Sequence, residues 1–235
     1  MRAFKSIAIA AVASFSLASL AEAATLTHLW TLDGTNADSV GSTPITFNEP
    51  GSGPTGFYFG SNLGLSAYGA MPTSGYSIDM AFDFDDVSGY NKVVDFKNKA
   101  SDTGLYVYHG ALYFYNVAIG PQVVTDNQTF RLTLTRDDAT NQVAGYINGA
   151  LQFSFVDVSG IAVFSATDAV AHFFQDDGQH EYDSGFVDYI RVFDGALTAD
   201  EVAALTNPVT PAVPLPAAGW LLVAGIGAIG ALRRR

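Results

Sequence analysis

Residues 128–155, QTFRLTLTRDDATNQVAGYINGALQFSF, carry the clearest hydrophobic pattern in the chain. Phe130, Leu132 and Leu134 fall on one face of a strand, and Arg131, Thr133 and Thr135 on the other. That period of two is what a sheet with one buried face requires. Residues 137–141 are a turn-rich break, and a second strand follows over 142–147. Asn148-Gly149 then supplies the two positive-φ residues of a type I′ turn, and residues 150–155 return. The stretch predicts an antiparallel, all-β meander.

The same alternation recurs on both sides. In 77–84, SIDMAFDF, Ile78, Met80, Phe82 and Phe84 point inward, and Asp79, Ala81 and Asp83 outward. Further strands are predicted over 26–32, 44–48, 56–60, 62–65, 92–96, 104–109, 111–116, 169–175 and 185–193. His28 and Trp30 share a face of the first, where His28 reads as a core or edge histidine. His109-Gly110 marks a tight hairpin. Thr198 and Glu201 have capping-box spacing and start a short helix through Leu205.

Both ends break the pattern. Residues 1–23 combine Arg2 and Lys5, an apolar stretch over 7–20, and Ala21-Glu22-Ala23, the three parts of a signal peptide in order. Residues 207–216, NPVTPAVPLP, form a proline-rich linker. Residues 217–232 are an apolar run followed by Arg233, Arg234 and Arg235. The run is slightly short of the roughly 20 residues of a comfortable membrane span, and the arginines fix its end on the cytoplasmic side. The expected organisation is a signal peptide over 1–23, a β domain over 24–206, the linker over 207–216, and an apolar helix with its Arg cluster over 217–235.

Composition narrows the function. Net charge is −12, and without the basic ends the balance is 6 Lys and Arg against 22 Asp and Glu, or −16. So acidic a body argues against nucleic-acid binding, which needs cations to meet phosphates. It suits a secreted protein, or one that binds divalent cations. The absence of Cys excludes disulfides and thiolate metal sites. With 49% hydrophobic and 14% charged residues, the middle of the chain has ample material for a core.

Three stretches resemble laminin-G-like domains of the concanavalin A-like jelly-roll class. Phe130 to Asp137 with Gly145 to Leu151 match one motif pair in order and spacing, with Phe130 in place of the usual Trp. WTLDGTNADSVG, from Trp30 to Gly41, resembles the family's opening loop. The family's closing pattern is met by Gly185, Val187, Asp188, Ile190, Arg191, Val192, Phe193, Ala196, Leu197, Thr198, Glu201 and Val202. The resemblance spans about 26–205 and implies an antiparallel two-sheet sandwich with a short C-terminal capping helix. It also implies a calcium site between the first-strand loop and the last. Asp33 and Asp38 on one side, with Asp176, Asp177, Asp183 and Asp188 on the other, are the candidate ligands, Asp33 and Asp188 foremost. The alternative is that these acids are simply solvated.

The tail has its own resemblance. Val213, Pro214, Leu215, Pro216 and Ala217, then the apolar helix, then the Arg cluster, resemble the VPLPA variant of PEP-CTERM sorting signals. That resemblance implies an exosortase-type sorting protease as partner. It also implies delivery to the cell surface or extracellular matrix of a Gram-negative bacterium, with membrane attachment through the helix before processing. A simple C-terminal anchor is the alternative.

For chemistry, a retaining glycosidase needs two carboxylates about 5 Å apart. Glu49, Glu181 and Glu201 are the only Glu residues between leader and linker, and none sits in the E-x-D-x-E strand motif of glucanases in this class. Asp79, Asp83 and Asp85 form the one carboxylate ladder. Asp83, Asp85 and Asp86 read as a solvated rim or as contacts to a cation or sugar hydroxyl. Tyr106, Tyr108, Tyr113 and Tyr115 cluster on two adjacent strands. They form either an aromatic platform for sugar rings or part of the inter-sheet core. The sequence therefore reads as a non-catalytic module that binds an extracellular glycan or matrix polymer. A hydrolase or lyase of the same fold, acting on exopolysaccharide, is the alternative, and a purely structural matrix protein a third.

Overall fold

The computed structural model describes residues 24–49, 52–178 and 180–207. The stretches expected to form a signal peptide (1–23), a sorting motif (213–217) and an apolar helix (217–235) lie outside the described residues.

Fifteen strands form two antiparallel sheets among these residues. The first sheet contains β1 (Thr25–Trp30), β3 (Ser52–Gly53), β4 (Gly56–Phe59), β6 (Tyr76–Phe84), β11 (Phe130–Arg136), β12 (Gln142–Ile147), β13 (Ala150–Val156) and β15 (Gly185–Asp194). The second contains β2 (Thr46–Phe47), β5 (Leu65–Ala67), β7 (Tyr90–Asp95), β8 (Gly104–Tyr108), β9 (Ala111–Phe114), β10 (Ala118–Gln122) and β14 (Ala171–Phe173). The sheets stack as a jelly-roll sandwich with one short helix, α1 (Ala199–Ala204).

The alternation dictates the core. Ile78, Met80, Phe82 and Phe84 of β6 are all at most 1% exposed. Leu132 lies opposite Met80 and Leu134 opposite Ile78. The other sheet contributes Val94, Leu105, Val107, Leu112, Phe114 and Phe173 to the same cluster. Asn148 and Gly149, with φ of 50° and 82°, make the expected turn between β12 and β13, and His109 and Gly110 repeat it between β8 and β9. β15 closes the sheet: one edge pairs with β6, and the other with β4 and then β1, so the first and last strands are neighbours.

Several expectations need correction. The first strand ends at Trp30, because Leu32 turns the chain with a φ of 58°. The strand placed at 62–65 lies at Leu65–Ala67. β3 and β10 were not anticipated: one is two residues long, and the other carries Gly120 and Pro121, which weaken strand patterning. Asp79, expected to face outward, does leave the core side but is fully buried. The outer face of the first sheet is covered by α1 and the segment after it, around Val202, Tyr146, Phe193 and Leu197. Asp79 accepts from Thr133 Oγ1 (2.6 Å), Arg191 Nε (2.8 Å) and Tyr189 Oη (2.9 Å), with Arg131 Nε at 3.7 Å. The same two arginines donate to the carbonyls of Val202, Leu205 and Thr206, tying the helix end to the sheet. A carboxylate there compensates two buried guanidinium groups that would otherwise lack a counter-charge. α1 starts with the expected reciprocal cap between Thr198 and Glu201.

Candidate functional site

With one face of the first sheet covered by α1, the outer face of the second sheet becomes the place to look for binding chemistry. In β8, Leu105 and Val107 enter the core, so Tyr106 and Tyr108 point away from it; in β9, Leu112 and Phe114 do the same and free Tyr113. The inter-sheet alternative for these tyrosines is thereby excluded. Registry sets Tyr106 opposite Tyr113 and Tyr108 opposite Tyr90, a residue the sequence reading passed over. Tyr90 and Tyr108 stack with centroids 4.0 Å apart and planes at 26°. Tyr113 lies 5.7 Å from Tyr108 and 6.0 Å from Tyr115, and Tyr115 lies 5.6 Å from Tyr106. The result is a terrace of five tyrosines. Tyr106 is buried at its base, and the other four are partly exposed.

Beneath the terrace lie buried charges. Lys92 has no exposed surface, and its Nζ sits 4.7 Å from the Tyr106 ring centroid, 3.4 Å from Asp176 and 3.5 Å from Asp95. Gly104 opens β8 because a Cβ there would stand 2.7 Å from the Val94 carbonyl and 3.1 Å from Lys92 Cδ. Burial holds Asp95 above the usual carboxylate range, opposed by the Lys99 and Lys97 amides and by Lys92. The Tyr106 hydroxyl lies 2.8 Å from Glu181 Oε2 and 2.9 Å from the Asp102 carbonyl. Burial, then Glu181, pushes that phenol far up, so it stays a donor. Burial and the hydrogen bond with Tyr108 push Tyr90 up to about 12. Glu181 is raised by burial first and by Asp176 and Asp102 next, against the Tyr106 hydrogen bond.

Next to this lies a neutral polar row. His172 Nδ1 is 2.8 Å from Ser66 Oγ, and Nε2 is 2.8 Å from Asn98 Oδ1. This arrangement fits a neutral ring that accepts at Nδ1 and donates at Nε2. Burial, then Lys99, lowers its pKa to about 4. Gln175 donates to the Leu65 carbonyl and to Ser66. Tyr68, 54% exposed, stands edge-on to His172. Lys92 and Tyr90 escape simple alternation because Val93 sits in a β-bulge between Lys92 and Val94, which breaks the period.

The six acids proposed for calcium do not gather at one point. Asp38 accepts from His28 (2.6 Å) and from the backbone amides of Leu29, Val40, Gly41 and Thr43. Burial alone would raise its pKa, but the Leu29, His28, Gly41 and Val40 hydrogen bonds together hold it low. His28 stacks on Trp30, as their shared face predicted. Asp176 belongs with Lys92, Asp177 lies on an exposed bend, and Asp183 accepts from the Ser184 amide. For Asp188, which occupies a β-bulge in β15, burial and then the charge of Asp33 raise the pKa. Among the described residues, no three His, Cys, Asp or Glu side chains converge on a metal position. Calcium takes six to eight oxygens, and carboxylates share that role with backbone carbonyls and water. Asp83, Asp85 and Asp86 do occupy the rim, with Asp83 accepting from Thr129 and Asp86 from Ser88.

A two-sheet jelly roll with an exposed aromatic terrace defines a lectin-like sandwich. Residues 59–203 match the Laminin_G_3 family of the concanavalin A-like lectin/glucanases superfamily, and the chain belongs to it. No curated protein matches the chain. Among solved structures, it is similar to domain 4 of AbnA, a GH43 extracellular arabinanase from Geobacillus stearothermophilus, in complex with arabinotriose. That match has 19% identity, TM-score 0.55, and covers 78% of this chain and 98% of that one. It is also similar to the ligand binding domain of botulinum neurotoxin serotype D in complex with N-acetylneuraminic acid (14% identity, TM-score 0.51, 72% of this chain and 47% of that one). A third is the Trypanosoma rangeli sialidase in complex with 2,3-difluorosialic acid (12% identity, TM-score 0.61, 76% and 32%). The fold thus recurs in both binding domains and glycosidases.

Proposed function

We propose that the protein is a non-catalytic carbohydrate-binding module acting outside the cell. The terrace of Tyr90, Tyr106, Tyr108, Tyr113 and Tyr115 carries this reading. Tyrosine offers an apolar face for a sugar ring and a hydroxyl for its hydroxyl groups. Glu181 and Asp102 at its side add acceptors. The complexes of structurally similar proteins with arabinotriose and N-acetylneuraminic acid are in keeping with it. The leader over 1–23 and the sorting-type tail over 213–235 support export to the cell surface or matrix, with a sorting protease as processing partner. The test is retention on a panel of insoluble polysaccharides combined with an assay for reducing ends. Retention without release is expected; absence of retention on every polymer would contradict the reading.

A second reading, hydrolysis, has one observation in its favour: Glu181 is held above the usual carboxylate range beside Asp176 and Asp102, as a general acid would be. It predicts release of reducing ends that Glu181→Gln abolishes.

A further inference from the structure

The described residues contain six cationic side chains, and five are committed internally. Arg131 and Arg191 hold Asp79 and the carbonyls after α1. Arg136, 3% exposed, holds Asp157 and Asn141. Lys92 lies between Asp95 and Asp176. Lys97 donates to the carbonyls of Gly160 and Val163 at 3.0 Å. Lys99 alone among them is exposed, and it reaches Gln175. Against these stand 22 Asp and Glu outside the chain ends. The exterior is therefore almost bare of positive side chains, and the potential around the domain is negative.

The terrace repeats that imbalance locally. Lys92, the cation beneath it, has no exposed surface and two carboxylate neighbours, so it cannot meet a ligand's acid group. Asp102 and Glu181 flank the Tyr106 hydroxyl, which lies against the Asp102 backbone carbonyl and Glu181 Oε2, and both residues are half-buried. After burial, their charges raise Tyr115, and Asp176 with Asp102 raise Glu181. The negative groups thus act on one another, and a bound cation would relieve the repulsion.

Resting on the carbohydrate-binding reading, we infer that the terrace selects its glycan by charge: it takes polymers of amino sugars with free ammonium groups and rejects uronic and sialic acid polymers. The ring stacks on the tyrosines while the ammonium group meets Glu181 and Asp102. An acidic sugar would bring a third negative charge beside these two carboxylates, and Lys92, the cation beneath the terrace, is buried between carboxylates of its own.

The experiment is calorimetric titration of the protein with three oligosaccharides of equal length: glucosamine, N-acetylglucosamine and a uronic acid. Each is run at low and at high salt. Glucosamine is expected to bind roughly tenfold tighter than its acetylated counterpart at low salt, with the gap closing at high salt as screening shortens to a few ångströms. The uronic acid should show no binding. The double variant Asp102→Asn, Glu181→Gln should bind the amine and the acetamide equally. Uronic acid binding as tight as glucosamine, or no amine preference at low salt, would overturn the charge selection while leaving carbohydrate binding intact. Failure of all three to bind, together with no retention on the polysaccharide panel, would overturn the carbohydrate reading itself and this inference with it.

Discussion

Asp79 shows how one residue type can carry a sheet face. Its carboxylate is shared by Thr133, Tyr189 and Arg191, with Arg131 close by, and all of it lies under α1. Removing one partner of a buried ion pair leaves an uncompensated charge, so Asp79→Ala should destabilise by about 3–5 kcal/mol in denaturant unfolding. A loss below 1 kcal/mol would mean the arginines find water instead. His172 makes a second prediction. Its folded pKa of about 4 lies below the ordinary 6.5, so the fold favours the neutral ring. Its contribution is therefore fully present above pH 6.5 and declines as pH falls to about 4, by up to about 3 kcal/mol. Asp95 and Glu181, held above the usual carboxylate range, act in the opposite sense at lower pH. The comparison that isolates His172 is stability against pH for wild type and His172→Gln, with the slope in that window reduced in the variant. For Asp188, burial and Asp33 both penalise the charge. Asp188→Asn should therefore melt higher than wild type in chelator. If this pair holds calcium, added Ca²⁺ should raise the melting temperature of wild type but not of the variant.

At the scale of elements, legibility followed periodicity. β6 and β11 were readable because each alternates between apolar and polar positions, and the Asn148-Gly149 turn after β12 fixes its own geometry. The capping box at Thr198 and Glu201 was readable because it is local in sequence. Thr198→Ala should cost about 1 kcal/mol and loosen the cover over Tyr146 and Phe193, which exchange of the Val202 amide would report. What was hidden depended on bulges and on long-range cover. Val93 shifts Tyr90 and Lys92 onto the outer face against the simple count, and Asp188 interrupts β15 in the same way. The burial of the outward-facing Asp79 was hidden because nothing near it in sequence announces that α1, some 120 residues on by the chain numbering, will lie over it. The partners of the candidate calcium acids were hidden for the same reason. The resemblance supplied candidate acids, but hydrogen bonds from His28 and nearby amides hold Asp38, and Lys92 holds Asp176.

For the whole molecule, the two sheets divide the labour. The first is covered on part of its outer side by α1 and the arginine clasp; the second carries a partly exposed tyrosine terrace over a buried, internally balanced set of charges. Four of the five tyrosines were readable from alternate spacing on β8 and β9, whereas their facing away from the core was decided only when the sheets were stacked. The central claim is that this terrace binds a saccharide. The most direct measurement is calorimetric titration of wild type and of Tyr108→Ala with Tyr113→Ala, using the polysaccharide that retains the protein. The titration is run well below the melting temperature of the double variant, which loses the Tyr90–Tyr108 stack and the Tyr113–Asn116 hydrogen bonds. The double variant should bind at least tenfold more weakly, a loss on the order of 1.4 kcal/mol or more. Unchanged affinity in a folded double variant would contradict the account.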